Sequence, residues 1–216
     1  MKPLPFRAPA GPLDHLLVAA DEALRSLSGA MQAARPLPCA DREVPAAPED
    51  RRLSAGLMRV NHTGEVCAQA LYGGQSLVAR DALLRGALRS AASEERDHLS
   101  WCRERLADLA SRPSLLDPLW YAGSFAWGVA SGLAGDRWSL GFLAETEEQV
   151  ERHLEGHLER LPLDDRCSRQ IVAQMRDDEH RHGQAGRDLG ARDLPLAVKL
   201  AMRTASKVMT RTAYWI

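Results

Sequence analysis

The sequence predicts an all-α protein, a helical bundle with acidic and imidazole side chains turned into its interior. Three observations carry that expectation. Ala, Leu, Arg and Glu are abundant and aromatics are few, a mixture that favours helix over strand. From Arg51 onward, every long segment repeats apolar residues at alternating steps of three and four. Nowhere does a convincing strand, a G-x-G-x-x-G motif or another Gly-rich phosphate loop interrupt that pattern.

The elements follow in order. An amphipathic stretch from about 14 to 34 carries Leu16, Leu17, Ala20, Leu24 and Leu27 on helical spacing, which makes residues 1–35 an accessory helix. Pro36, Pro38, Pro45 and Pro48 break regular structure, so residues 36–50 read as a linker. The main domain is 51–216. Its helices cover about 52–79 and 81–110, the second ended by Pro113. A charge-free stretch runs from Leu119 to Gly135. Further helices span about 137–160, ending before Pro162, and about 164–190, where Asp164 and Asp165 suit a helix start. Pro195 opens a basic C-terminal helix with Lys199, Arg203, Lys207 and Arg211.

Composition excludes several classes of function. With 216 residues, 45% of them hydrophobic, the chain has material for a substantial core. A formal net charge of -1 gives no reason to expect a nucleic-acid binder. Cys39, Cys67, Cys102 and Cys167 are scattered without a C-x-x-C pair, which speaks against a disulfide framework and a thiolate zinc site. They read as reduced thiols of a cytosolic protein. Met1 to Ala10 lacks a signal-peptide core and Leu16 to Ala20 is too short to supply one, so the expected location is inside the cell.

The apolar stripes locate the interior, and ionisable groups interrupt each of them. One stripe is Met58, Asn61, Glu65, Ala68 and Tyr72. A second is Leu84, Leu88, Ala91, Glu95, His98, Cys102, Leu106 and Leu109. The third is Leu143, Glu147, Val150, Leu154 and Leu161, and the fourth is Ile171, Met175, Glu179, His182, Gly186 and Leu189. An unpaired carboxylate in such a place costs several kcal/mol or takes up a proton. A metal ion compensates it economically.

Spacing narrows the kind of site. The chain has two Glu-x-x-His pairs, Glu95/His98 and Glu179/His182, each projecting from one helix face toward a common point. Two further helices supply one Glu each, Glu65 and Glu147, which is the ligand pattern of di-iron carboxylate bundles. Glu65 precedes Glu95 by 30 residues and Glu147 precedes Glu179 by 32, so the domain reads as two similar hairpins related by a pseudo-two-fold axis. Four carboxylates balance two divalent cations, and oxygen-rich ligands with two imidazoles suit iron or manganese better than structural zinc. Each residue also has a plainer reading. Glu65 alone fits a solvated helix, and Glu145, Glu148, Glu151 and Glu155 around Glu147 read as solvent face. His153 and His157 have i, i+4 metal spacing but no matched partner helix, so His153 is expected to support the ligands by a hydrogen bond. His62 and Tyr72 flank the Glu65 face and either orient a ligand or fill the core. Asp177 and His180 fall on another face, at the surface.

At these residues the sequence resembles the Coq7 family of demethoxyubiquinol hydroxylases. The carriers are Arg59-Val60-Asn61-His62-Thr63-Gly64-Glu65 with Tyr72-Gly73-Gly74-Gln75, Glu94-Glu95-Arg96-Asp97-His98-Leu99, Ala144-Glu145-Thr146-Glu147, and Met175 to Glu179 with His182-Gly183. The resemblance covers about 50–216. It implies a ferritin-like di-iron four-helix bundle core with additional N-terminal, apolar and C-terminal helices. It also implies two iron ions (Fe2+/Fe3+) per subunit held by Glu65, Glu95, His98, Glu147, Glu179 and His182, with no catalytic residue beyond those ligands. The implied reaction is hydroxylation of the benzoquinol ring of a polyprenylated intermediate in ubiquinone biosynthesis, with O2 and outside reducing equivalents. Partners would then be the quinol, O2, a membrane surface, and a second copy or other proteins of that pathway.

A long isoprenoid tail gives Leu119–Gly135 a purpose. The stretch is too short and too rich in Gly, Ala and Ser for a confident span. Trp120, Tyr121, Phe125 and Trp127 suit a bilayer interface, and the expected place is the cytoplasmic face of the cell membrane, peripherally bound. The alternative is that Ser124, Gly128 and Gly132 permit close helix packing. An iron-storage or peroxide-reducing protein of the ferritin and rubrerythrin type shares the ligand geometry without needing that segment.

Overall fold

The computed structural model describes residues 11–216, and the expectation about Met1–Ala10 lies outside them. Among the described residues the chain forms seven α-helices and no strand, as the composition predicts. They are α1 (Pro12–Ser28), α2 (Pro48–Val78), α3 (Ala82–Asp108), α4 (Asp117–Leu133), α5 (Asp136–Arg160), α6 (Arg166–Asp188) and α7 (Leu196–Trp215). The four stripes belong to α2, α3, α5 and α6, which pack as a four-helix bundle with α1, α4 and α7 laid against it.

Local chemistry sets the boundaries. Asp81 caps α3 by accepting from the Leu83 amide at 2.7 Å, and Asp165 caps α6 by accepting from Ser168 at 2.9 Å. The first helix stops at Ser28, short of the expected 34, because Gly29 takes a left-handed conformation (φ 79°) and its amide closes on the Arg25 carbonyl. Residues 29–47 then cross the bundle as an irregular strap. Its fixings are the Arg42 guanidinium on Glu104 and Asp108, the Arg105 guanidinium on the Arg42 and Glu43 carbonyls, and a Cys39–Cys167 disulfide. The disulfide corrects the expectation that all four cysteines are reduced. Cys39 and Cys167 are 128 residues apart, so only the strap's path over the α6 N-terminus brings them together, while Cys67 and Cys102 remain free thiols.

The charge-free segment forms α4, which lies directly on α2. A Cβ at Gly128 would land on the Leu71 carbonyl, and one at Gly74 on the Phe125 carbonyl, so the two backbones are in contact. Ser131 and Gln75 bridge the pair at 3.3 Å. On its other face α4 exposes Leu119, Trp127 and Leu133. No helix among the described residues is long and apolar enough to cross a membrane. Because backbone cannot yield, Gly128→Ala is expected to cost about 1–3 kcal/mol by overpacking. A drop in Tm of roughly 2–10 °C in a thermal melt checks this.

Candidate metal centre

Each bundle helix carries its ligand candidates at mid-length, where the apolar stripe forces them inward. Glu65 on α2, Glu95 and His98 on α3, Glu147 on α5, and Glu179 and His182 on α6 are all buried. The structure brings the six together as two groups sharing Glu179: Glu65, Glu95, His98 and Glu179, and then Glu147, Glu179 and His182. Within each group, potential donor atoms lie within 4.8 Å of one another, so the cluster can hold metal ions.

The contacts show the two-fold pattern the sequence offsets suggest. Glu95 lies 3.0 Å from His98 on its own helix and 3.0 Å from His182 on the opposite one. Glu179 mirrors it, 3.2 Å from His182 and 3.2 Å from His98. Glu65 stands 3.7 Å from His98. Glu95 and Glu179 thus each face both imidazoles, and Glu65 and Glu147 belong one to each ligand group.

Electrostatics explain why the cluster suits cations. Four carboxylates and two imidazoles share a buried space, so protons must do what charge pairing cannot. Burial, reinforced by Glu95, drives the Glu65 carboxyl well above the usual range. Burial and Glu179 do the same to Glu147. Burial alone would strip the proton from His98, but Glu95, Asp178, Glu179 and Glu65 together override it and hold the imidazole protonated. At His182, Glu179 and Glu95 overcome burial and raise the pKa to about 11. Even so, Glu95 Oε1 and Glu179 Oε1 make no aligned hydrogen bond, each meeting only an imidazole nitrogen, of His182 at 3.0 Å and of His98 at 3.2 Å. Carboxylate oxygens left without an aligned donor fit divalent cations, and Glu65, Glu95, His98, Glu147, Glu179 and His182 fit as their ligands.

A pH dependence follows. All four raised groups favour the protonated form in the metal-free fold, so their stabilisation is present at low pH and lost as pH rises through the folded pKa values. Metal must displace at least the two imidazolium protons near neutral pH, so apparent affinity should rise by about 100-fold per pH unit. Calorimetric titration in buffers of different ionisation enthalpy checks the proton count; fewer than two protons released per cluster filled contradicts it.

The other candidates sit elsewhere. Tyr72 donates its hydroxyl to Glu147 Oε1. His62 turns away from Glu65 and lies 3.2 Å from Asp117, which also accepts from Thr63 at 2.7 Å. His153 makes no hydrogen bond to the six residues; its ring packs on His157 at 3.9 Å, and burial pushes its pKa down to about 4. Glu145 is buried rather than solvated, because Lys199 of α7 reaches it at 3.0 Å. His180 is at the surface, paired with Glu151 at 2.9 Å. Three residues escaped the sequence reading. Asp178 lies 2.9 Å from His98 Nε2, and Arg35 from the strap binds both Asp178 (2.8 Å) and Asp97 (2.6 Å).

A cavity of about 490 Å³ opens between α2, α4, α5 and α7. Glu65 and Asn61 line it, together with Trp120, Trp127, Phe142, Met202 and Met209. Such a volume suits a small organic ligand.

The comparisons with known proteins agree with this geometry. Residues 52–213 match the family described as "Ubiquinone biosynthesis protein COQ7". A "3-demethoxyubiquinol 3-hydroxylase" of Bordetella parapertussis is 57% identical over 209 residues, covering 96% of this chain and 94% of its own length. Proteins of the same name from Ralstonia pickettii and Cupriavidus taiwanensis are 55% and 58% identical, each over 94% of this chain and 100% of their own. With the match spanning the whole bundle and every ligand candidate, the chain belongs to the ubiquinone biosynthesis protein COQ7 family, whose fold is a ferritin-like helical bundle.

Proposed function

We propose that the protein is a 3-demethoxyubiquinol 3-hydroxylase, a di-iron monooxygenase that hydroxylates the benzoquinol ring of a polyprenylated intermediate in ubiquinone biosynthesis with O2 and external reducing equivalents. The observation that carries this reading is the apolar cavity that Glu65 lines. It joins a carboxylate-lined metal centre to a space shaped for an aromatic ring with a hydrocarbon tail.

Two iron ions held by the six ligands would supply the redox chemistry that O2 requires. The chain's own residues do the rest. Glu95 and Glu179 hold both sides of the centre at one spacing, and Tyr72 fixes Glu147. Asn61 borders the cavity next to Glu65, and its Oδ1 has no hydrogen-bond partner, so it is available to a quinol hydroxyl. The apolar walls exclude water from the ring.

The exposed apolar residues of the two helices that wall the cavity support a peripheral membrane location. Leu119, Trp127 and Leu133 of α4 and Leu196, Leu200 and Val208 of α7 are all exposed, and Lys207 and Arg211 place positive charge beside them. A tail leaving the cavity there would pass straight into lipid. The test is reconstitution with Fe2+, a reductant and a long-tailed demethoxyquinone in anionic vesicles. Hydroxylated quinone, with the protein floating with the vesicles, is expected. An iron-loaded protein that only consumes peroxide would overturn the hydroxylase reading in favour of a rubrerythrin-type activity, and one that stays in solution would overturn the membrane reading.

A further inference from the structure

Residues 29–47 precede the segment that matches the family, yet they reach the metal centre. The strap enters over α3 and α6, where Asp97 Oδ1 accepts from the Ala34 amide at 2.6 Å. That contact turns Arg35 inward. Its Nε donates to Asp97 Oδ2 at 2.6 Å and its Nη1 to Asp178 Oδ2 at 2.8 Å, while the guanidinium stacks 4.8 Å from the centre of the Trp101 ring. Both aspartates are buried, so each needs a cation, and one planar fork serves the two.

Asp178 has a second task. Its Oδ2 lies 2.9 Å from His98 Nε2, the outer nitrogen of a ring whose Nδ1 faces Glu95 and Glu179. An imidazole ligates through one nitrogen only when the other holds the proton, and a carboxylate on the outer nitrogen fixes that tautomer and the ring's aim. Gln174 holds the other oxygen, Asp178 Oδ1, at 2.9 Å, and Arg181 also donates to it. Arg35 is therefore the donor that fixes the oxygen facing His98. Arg35 Nη2 is itself 3.3 Å from His98 Nε2, so a strap out of register would disturb the ring directly.

We propose that Arg35, carried by the strap, is a positioning residue for the metal centre. By holding Asp178 Oδ2 against His98 Nε2 it aims His98 Nδ1 at Glu95 and Glu179, and the Cys39–Cys167 disulfide keeps the strap in register. The inference rests on the metal-centre reading above.

Titration of the metal-free full chain with Co2+ alone tests it, reading affinity and the cobalt visible spectrum. Arg35→Ala should weaken binding by about 10- to 100-fold and change the spectrum at saturation. Arg35→Lys keeps the charge but not the fork, so it should recover part of the loss and supplies the comparison if Arg35→Ala does not fold. Cys39→Ser should weaken binding by a smaller factor. Arg42→Ala is the control, because Arg42 ties the strap to Glu104 and Asp108 without touching Asp178. It should leave the spectrum unchanged. Wild-type affinity and spectrum in Arg35→Ala would overturn the proposal, as would an equal loss in Arg42→Ala, which would make the strap merely structural. A wild-type chain that binds no Co2+ would overturn the metal-centre reading itself.

Discussion

Glu179→Ala is expected to abolish metal loading altogether and to lower quinol hydroxylation on the order of 10³-fold or more, beyond the 10- to 100-fold typical of residues that only orient ligands. The reason is its shared position. Glu179 belongs to both ligand groups, with one oxygen 3.2 Å from His98 and the other 3.2 Å from His182. Glu147 belongs to only one group, so Glu147→Ala should retain a single metal bound by Glu65, Glu95, His98 and Glu179. Metal analysis should therefore read two, one and none for the wild type, Glu147→Ala and Glu179→Ala. Both variants should fold, because each removes a buried carboxylate from a cluster that holds too many. What Glu179→Ala loses is the thermal protection by metal, about 2.7 kcal/mol per site at a hundredfold excess over Kd. Two metals bound by Glu179→Ala would refute the shared-ligand geometry.

The residues of this site were legible because helical periodicity is a local property. Once Leu143, Val150 and Leu154 define the buried face of α5, Glu147 is the acidic residue that must point inward, and Glu148 and Glu155 need not. Glu145 shows the limit of that logic. It lies off the stripe, yet α7 covers it and Lys199 neutralises it, and no property of α5 alone announces that a basic helix will dock there. Arg35 was illegible for a stronger reason. It sits among prolines in a segment without periodicity, so nothing in the sequence assigns it a face. Asp178 stood beside Glu179 in plain view, but neighbours on a helix point about 100° apart, and only the arrival of His98 from α3 gives it a role. The disulfide was hidden likewise, since the pairing of Cys39 with Cys167 depends on the strap's path.

The same close packing shapes the second large effect, at a glycine that packs against nothing. Gly64 immediately precedes Glu65 on α2 and lines the apolar cavity, and a Cβ there would meet no atom within 4 Å. Its backbone is ordinary helix, so no left-handed conformation requires glycine. Mid-helix glycine costs about 0.5–1 kcal/mol relative to good helix formers, so Gly64→Leu should raise stability by roughly that amount and Tm by about 1–4 °C. Catalysis should move the opposite way. A leucine side chain beside Glu65 occupies the space assigned to the quinol ring, and displacing a substrate by about 1 Å can cost 10²-fold. Hydroxylation of a long-tailed quinol is therefore expected to fall on the order of 100-fold while metal content stays at two per chain. A more stable, fully loaded and inactive variant separates the substrate cavity from the metal centre, which loss of a ligand cannot do. If Gly64→Leu keeps its kcat/KM, the ring does not approach along α2, and the cavity between α4 and α7 loses its assigned occupant.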